Sequence, residues 1–175
     1  MRQNNISSGY RKNIVSGLAC FIILVFIDQV TKYLACIYLK PMCGFELISG
    51  IFQLYYLENR GAAFGMLHDR QLFFVAAALV ITLVISLIYL KIPPDRKYEP
   101  LRLVSIVLAS GAVGNMIDRI FRGYVVDFLY FSLIDFPVFN VADCYVCVGI
   151  AALILLLFTC YKEESFDFLI PSQKK

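Results

Sequence analysis

Charge is scarce in this 175-residue chain: Asp, Glu, Lys and Arg together make up 17% of it, against 60% hydrophobic residues. Histidine is scarcer still. A single His68 argues against a histidine-based metal site, and no metal or cofactor is expected. The net charge of +3 is too small to suggest a nucleic-acid partner. Low-complexity segments and long repeats are also missing.

Six cysteines do not make a disulfide framework here. Cys20, Cys144, Cys147 and Cys160 lie in apolar runs, where cysteine behaves as a small hydrophobe. Cys144 and Cys147 match CxxC, but no second ligand pair or thioredoxin-like pattern accompanies them. Cys36 and Cys43 flank a loop and would be placed to pair only if that loop lies outside the cytoplasm.

What the chain has in quantity is long apolar runs, and in so short a chain these indicate an integral membrane protein of one domain. Four spans are expected, at about 13–35, 71–91, 101–120 and 140–161. At 1.5 Å per residue the first reaches roughly 33 Å, enough for a bilayer core. It follows a basic segment, as in a signal peptide, but it is too long for an h-region and no small-residue cleavage site follows it. Pro93 and Pro94 end the second span, and the tail after Lys162 is expected to be frayed. Between the first two spans, Phe45 to Leu57 is rich in β-branched and aromatic residues, with a turn signal at Ser49-Gly50. This predicts a small β-element at about 43–60, its tyrosines Tyr55 and Tyr56 suited to the headgroup zone.

Four spans put both termini on one side. The N-terminus, the 91–102 loop and the tail carry ten of the sixteen Lys and Arg residues. By the positive-inside rule, both termini are expected to be cytoplasmic.

Against this apolar background, residues 111–143 hold four of the eight aspartates. A carboxylate at membrane depth costs roughly 2.5–3.5 kcal/mol on insertion scales, so such a residue is a site candidate by default. The topology collects the unusual polar groups at one depth. Asp28 and Lys32 fall near the outer end of the first span, Asn115, Asp118 and Arg119 near that of the third, and Asn140 and Asp143 at the outer start of the fourth. Asn59 and Asp127 lie in the two outer connections.

Helical spacing pairs Asp28 with Lys32, Asn115 with Arg119, and Asp118 with Arg122. Asp28 and Lys32 read as a neutralising ion pair at a helix end, and Asn115 with Arg119 as either interhelical glue or a substrate-positioning pair. Asp135, beside Pro137, reads as a solvated turn residue. Asp127 and Asp143 have no basic residue three or four positions away. Either each pairs with a distant arginine such as Arg119 or Arg122, or the two meet and share a proton. In the second case one acts as base toward water while the other hydrogen-bonds a developing oxyanion. Two further classes compete: a small proton-coupled transporter with an Asp/Arg relay, and a non-enzymatic scaffold whose polar groups hold helices together. The transporter requires polar groups spread through the membrane depth, and the inner halves of the last three spans have almost none.

Five blocks carry a more specific signal: Asp28-Gln-Val-Thr-Lys32, Asn59-Arg-Gly-Ala-Ala-Phe-Gly65, Gly111-Ala-Val-Gly-Asn-Met-Ile-Asp-Arg119, Gly123-Tyr-Val-Val-Asp-Phe128 and Phe139-Asn-Val-Ala-Asp143. In this order they resemble the signature blocks of the signal peptidase II family. Ser110 departs from the pattern, standing where the family usually has a glycine. The resemblance implies an all-α integral membrane protein of four transmembrane helices, with a small extracytoplasmic β-cradle and a short outer helical stretch. It implies an aspartic endopeptidase of the bacterial cytoplasmic membrane, its site toward the outer leaflet. Its substrates would be diacylglyceryl-modified prolipoproteins, cut just before the lipidated cysteine, with membrane phospholipid around it and globomycin-type cyclic peptides as inhibitors. Asp127 and Asp143 would be the catalytic pair. Asn59, Gly61, Asn115, Arg119 and Asn140 would position substrate or the pair, and Asp28, Lys32 and Asp118 would support the site. The 59–65 loop, with Gly61 and Gly65, is expected to move over the site. The signatures of other intramembrane proteases, GxGD, HExxH and Gly-x-Ser-Gly, are absent.

Overall fold

A computed structural model describes residues 2–42, 44–61 and 70–169, with side chains from residue 9. Helix α1 (Arg2–Tyr38) is followed by a hairpin of β1 (Phe45–Ile48) and β2 (Phe52–Asn59). Then come α2 (Gln71–Lys91), α3 (Glu99–Arg122), β3 (Val125–Tyr130) and α4 (Val141–Thr159). Among the described residues, four helices are long and apolar enough to cross a membrane. Helix α2 has no buried residue, and large side chains such as Leu72, Phe121 and Phe158 stand more than 80% exposed. Apolar surface on all sides of a helix is what lipid, not water, requires.

Helix α3 is the central member, packed against α1, α2 and α4. Small residues bring its neighbours close. A Cβ added to Gly111 would lie 2.6 Å from the Ala142 carbonyl oxygen on α4, and one at Gly114 would meet the Asp28 carboxylate on α1. Such close approach is the usual basis of helix association in lipid, where burial of apolar surface gives no drive. Ser110 fits without loss: it is fully buried, and its hydroxyl donates to the Ile106 carbonyl at 2.8 Å.

The three strands form one antiparallel sheet in the order β1-β2-β3. Gly50, at φ 68°, turns the hairpin at the Ser49-Gly50 signal. Gly123 closes α3 in the left-handed conformation at φ 75°, its N–H bonded to the Arg119 carbonyl at 3.2 Å, and sends the chain straight into β3. Val126 and Phe128 then pack on Ala35 and Leu39 of α1, which fixes the sheet to the helical bundle.

Three features differ from expectation. The segment carrying Asp127 is a strand, not a plain connection. Val125 to Phe128 is buried at every position, so it lacks the alternation by which a half-exposed strand is recognised. The polar residues from Arg2 onward continue α1 instead of preceding it. Through residue 169 the tail is packed, not frayed: Tyr161, Phe166 and Phe168 join Ile92, Leu101 and Tyr98 in an aromatic cluster, and Ser165 is buried. Outside the spans, a 3-10 turn at Ser132–Ile134 follows β3. Cys43 and most of the 59–65 loop lie outside the described residues, and with them the Cys36–Cys43 pairing and the loop's movement.

Two of the glycines on the α3–α4 interface, Gly111 and Gly149, separate by what they touch. At Gly111 the nearest atom is backbone, whereas at Gly149 an added Cβ meets the side chain of Leu108, which can rotate away. Gly111→Ala is therefore expected to destabilise by about 1–3 kcal/mol, the range for overpacking, and Gly149→Ala by less. Thermal unfolding of the two purified variants checks the order.

Candidate active site

The polar residues meet where the C-terminal end of α3, the N-terminal end of α4, the C-terminal half of α1 and strands β2 and β3 come together. The lowest layer is built on Lys32. Its ammonium lies 3.0 Å from Asp28 Oδ2, 3.1 Å from Asp118 Oδ2 and 2.9 Å from Asn115 Oδ1. An ammonium has three protons, and here each has an acceptor. Lys32, Asp28 and Asp118 are all fully buried. The Asp28–Lys32 pair expected at a helix end is thus present, but it is the interior of a three-helix network and not a surface pair.

Each acid of this layer also holds backbone. Asp28 Oδ1 accepts from the Ala142 N–H at the start of α4 (2.9 Å), and Asp118 Oδ2 accepts from the Val126 N–H in β3 (3.2 Å). The elements that carry Asp143 and Asp127 are therefore both tied to the Lys32 layer. Asp118 Oδ1 stands 3.4 Å from Arg122 Nε without hydrogen-bond geometry, so that i,i+4 contact is electrostatic only. Gln29, which the sequence reading did not single out, donates to Asp28 Oδ2 and to the Gly114 carbonyl, both at 3.1 Å. Its place inside the Asp28–Lys32 block was the available signal.

Two asparagines connect this layer to the upper pair of acids. Asn115 accepts from Lys32 and donates to Asp143 Oδ1 at 2.7 Å. Asn140 is the N-cap of α4: its Oδ1 accepts from the Asp143 N–H at 3.0 Å, and Asp143 Oδ2 accepts from its own N–H at 3.1 Å, a reciprocal capping box. The Asn140 amide also donates to Asp127 Oδ1 at 2.6 Å and to Asn115 Oδ1 at 3.1 Å. One fully buried side chain thus touches the segment of one acid and the carboxylate of the other.

Asp127 is 1% exposed and projects from β3, where Leu57 is its partner across a bulge in β2. Asn59 at the end of β2 donates to Asp127 Oδ2 at 2.8 Å and accepts from the Gly61 N–H at 3.0 Å. Burial raises the Asp127 carboxyl, and the neighbouring Asp143 charge raises it further, to about 7. The Asn59 and Asn140 amides offset part of this. Asp143 lies in the first turn of α4. Among the described residues, neither acid lies within ion-pair distance of an arginine or lysine, so the alternative in which each pairs with Arg119 or Arg122 is not what the fold contains.

Asp127 and Asp143 open into one cavity of about 1110 Å³, also lined by Asn59, Gly61, Asn115 and Arg119. Arg119 donates to the Asn115 carbonyl at 3.3 Å and to the Gly61 carbonyl at 3.5 Å, and its guanidinium lies 4.8 Å from the centre of the Phe74 ring. Its Nε is buried with no hydrogen-bond partner among the described residues. Phe74 was not legible as a site neighbour, being one apolar residue among many in α2. Asp135 sits at the rim in an exposed turn, accepting from the Tyr130 hydroxyl at 2.6 Å, as read from the sequence. No three His, Cys, Asp or Glu side chains among the described residues converge as metal ligands.

The fold and the sequence have counterparts. Two solved bacterial membrane enzyme structures superpose with TM-scores of 0.74. One, at 27% identity, is covered over 93% of this chain and 95% of its own, and the other, at 30% identity, over 85% and 96%. The lipoprotein signal peptidase of Caldanaerobacter subterraneus subsp. tengcongensis is 46% identical over 72% of this chain and 84% of its own length. That of Brevibacillus brevis is 44% identical over 78% and 90%. These relatives give the transporter reading no support. The family description Signal peptidase (SPase) II matches residues 20–159, which runs from the middle of α1 to the end of α4, and the chain belongs to that family of membrane peptidases.

Proposed function

We propose that this chain is an aspartic endopeptidase that removes the signal peptide from diacylglyceryl-modified prolipoproteins, cutting just before the lipidated cysteine. The observation that carries the reading is the pair itself. Two carboxylates share one cavity, are held by asparagine amides and backbone N–H groups, and among the described residues have no lysine or arginine within ion-pair distance to fix both as anions. Close carboxylates do not both ionise readily, so the pair retains one proton up to about pH 7, and that proton belongs to the pair. The ionised member takes a proton from water, which attacks the scissile carbonyl. The protonated member donates to the oxygen as negative charge develops on it. Asn59, Asn140 and Asn115 hold the two carboxylates in position, while Arg119 and the Gly61 segment are placed to meet substrate backbone.

A bilayer-anchored substrate suits this geometry. The signal sequence and the lipid both hold it in the membrane, so it arrives by lateral diffusion. The site lies at the ends of the helices, where a cleavage point between a spanning segment and an exported domain must lie. With both termini cytoplasmic by the charge bias, that end faces the outer leaflet. A globomycin-type cyclic peptide would compete for the same cavity.

Asp127→Asn and Asp143→Asn should each lower cleavage of a diacylglyceryl-modified prolipoprotein by at least about 10²–10⁴-fold, the usual contribution of a general acid or base. Asp167→Asn, an exposed residue of the tail, should cleave normally. Membrane insertion and thermal unfolding of all three serve as controls for folding. Normal turnover by either pair variant defeats the reading.

The raised Asp127 carboxyl also sets a pH dependence. The folded chain holds this proton up to about pH 7, while the unfolded chain releases it near the ordinary value of 3.8. Between those values the native state binds more protons, so this group's contribution to stability falls as pH rises. Activity should decline as pH rises through about 7, when the pair loses its shared proton. A kcat/KM profile tests the alkaline limb, and unfolding of Asp127→Asn should lack the corresponding slope of stability.

A further inference from the structure

At the membrane face opposite the carboxylate pair lies a second cavity, of about 530 Å³, between α1 and the start of α3. Arg102, in the first turns of α3, is 7% exposed and lines it. Its guanidinium donates to the Pro93 carbonyl at 2.6 Å and to the Asp95 carbonyl at 3.1 Å, both neutral acceptors. Among the described residues no carboxylate lies within ion-pair distance of it. A buried cation without a counter-charge is costly, and this one sits beside the positive end of α3. Lys12 and Arg96 line the same cavity and are exposed, with Glu99 as the one acid, so it carries a net charge of two positive. The other nearby charges are engaged elsewhere. Asp95 accepts from the Lys97 N–H, and the Lys97 ammonium donates to Ser165.

The cavity is cationic at its mouth and apolar below, where Leu103 and Ile106 form the wall within the span. Tyr89 of α2 reaches across Gly17 and donates to the Asn13 carbonyl at 2.7 Å, bridging α2 to α1 at its back. We propose that this cavity binds the headgroup of an anionic phospholipid, the phosphodiester between Arg102, Lys12 and Arg96 and an acyl chain along Leu103 and Ile106. The apolar wall favours a lipid over free phosphate, which has no use for it. The site is independent of the carboxylate chemistry. Arg102 and Asn115 lie on one helix, about 20 Å apart along it, so lipid held at one end steadies the helix that carries the other.

The test is native mass spectrometry and thermal unfolding of the purified full-length chain with phosphatidylglycerol, with phosphatidylcholine of the same acyl chains, and with inorganic phosphate alone. The wild type is expected to retain phosphatidylglycerol and to unfold at higher temperature with it, but not with the other two. Lys12→Gln and Arg96→Gln, at exposed positions that folding tolerates, should each weaken retention about fivefold, as about 1 kcal/mol per interfacial cation implies, and Lys12→Arg should restore it. Equal retention of both lipids, or variants that keep phosphatidylglycerol as the wild type does, would overturn the proposal. Equal stabilisation by inorganic phosphate would overturn its lipid half and leave an anion site.

Discussion

The polar network beneath the carboxylate pair depends on the Lys32 ammonium having three acceptors, one from its own helix and two from α3. Breaking a buried ion pair by removing one member typically costs about 3–5 kcal/mol, because the remaining charge is left without compensation. Here Lys32 offsets two buried carboxylates at once, and each of those carboxylates holds a backbone N–H of an element bearing a site acid. The same ammonium fixes the orientation of the Asn115 amide. With its oxygen committed to Lys32 and Asn140, its nitrogen faces Asp143. Position and polarity thus propagate upward from one charge through two asparagines to the pair above.

This layering separates two tasks that carboxylates perform in one small site. Asp28 and Asp118 are compensated by cations and hold structure. Among the described residues, Asp127 and Asp143 receive only neutral donors, which orient a carboxylate without fixing it as an anion. The difference is set by neighbours, not by depth, since Asp127 is as fully buried as the lower two. Burial then acts on Asp127 with little opposition and keeps a proton available near neutrality.

Much of this was legible in the sequence because membrane spans leave few places for polar groups. Counting spans was enough to collect Asp28, Asn115, Asp118, Arg119, Asn140 and Asp143 at one depth, and the helix spacing paired Asp28 with Lys32. The third strand was not legible, since its burial on both faces removes the period-two pattern that marks strands. Nor was the meeting of Lys32 with Asp118, which depends on how closely α1 approaches α3 at Gly114. Periodicity fixes which residues share a helix face but not the rotation of one helix against another. The choice between an acid pair and two separate arginine pairs turned on that rotation.

The central claim is that Asp127 and Asp143 hold one proton between them up to about pH 7. Infrared spectroscopy of the purified protein, following the carboxylic-acid carbonyl stretch during a pH titration and subtracting the Asp127→Asn and Asp143→Asn variants, observes that proton directly. One band that disappears near pH 7 in the wild type and is missing or displaced in both variants is the expected result. Two carboxyls titrating independently near the ordinary value of 3.8, each unaffected by loss of the other, would contradict it.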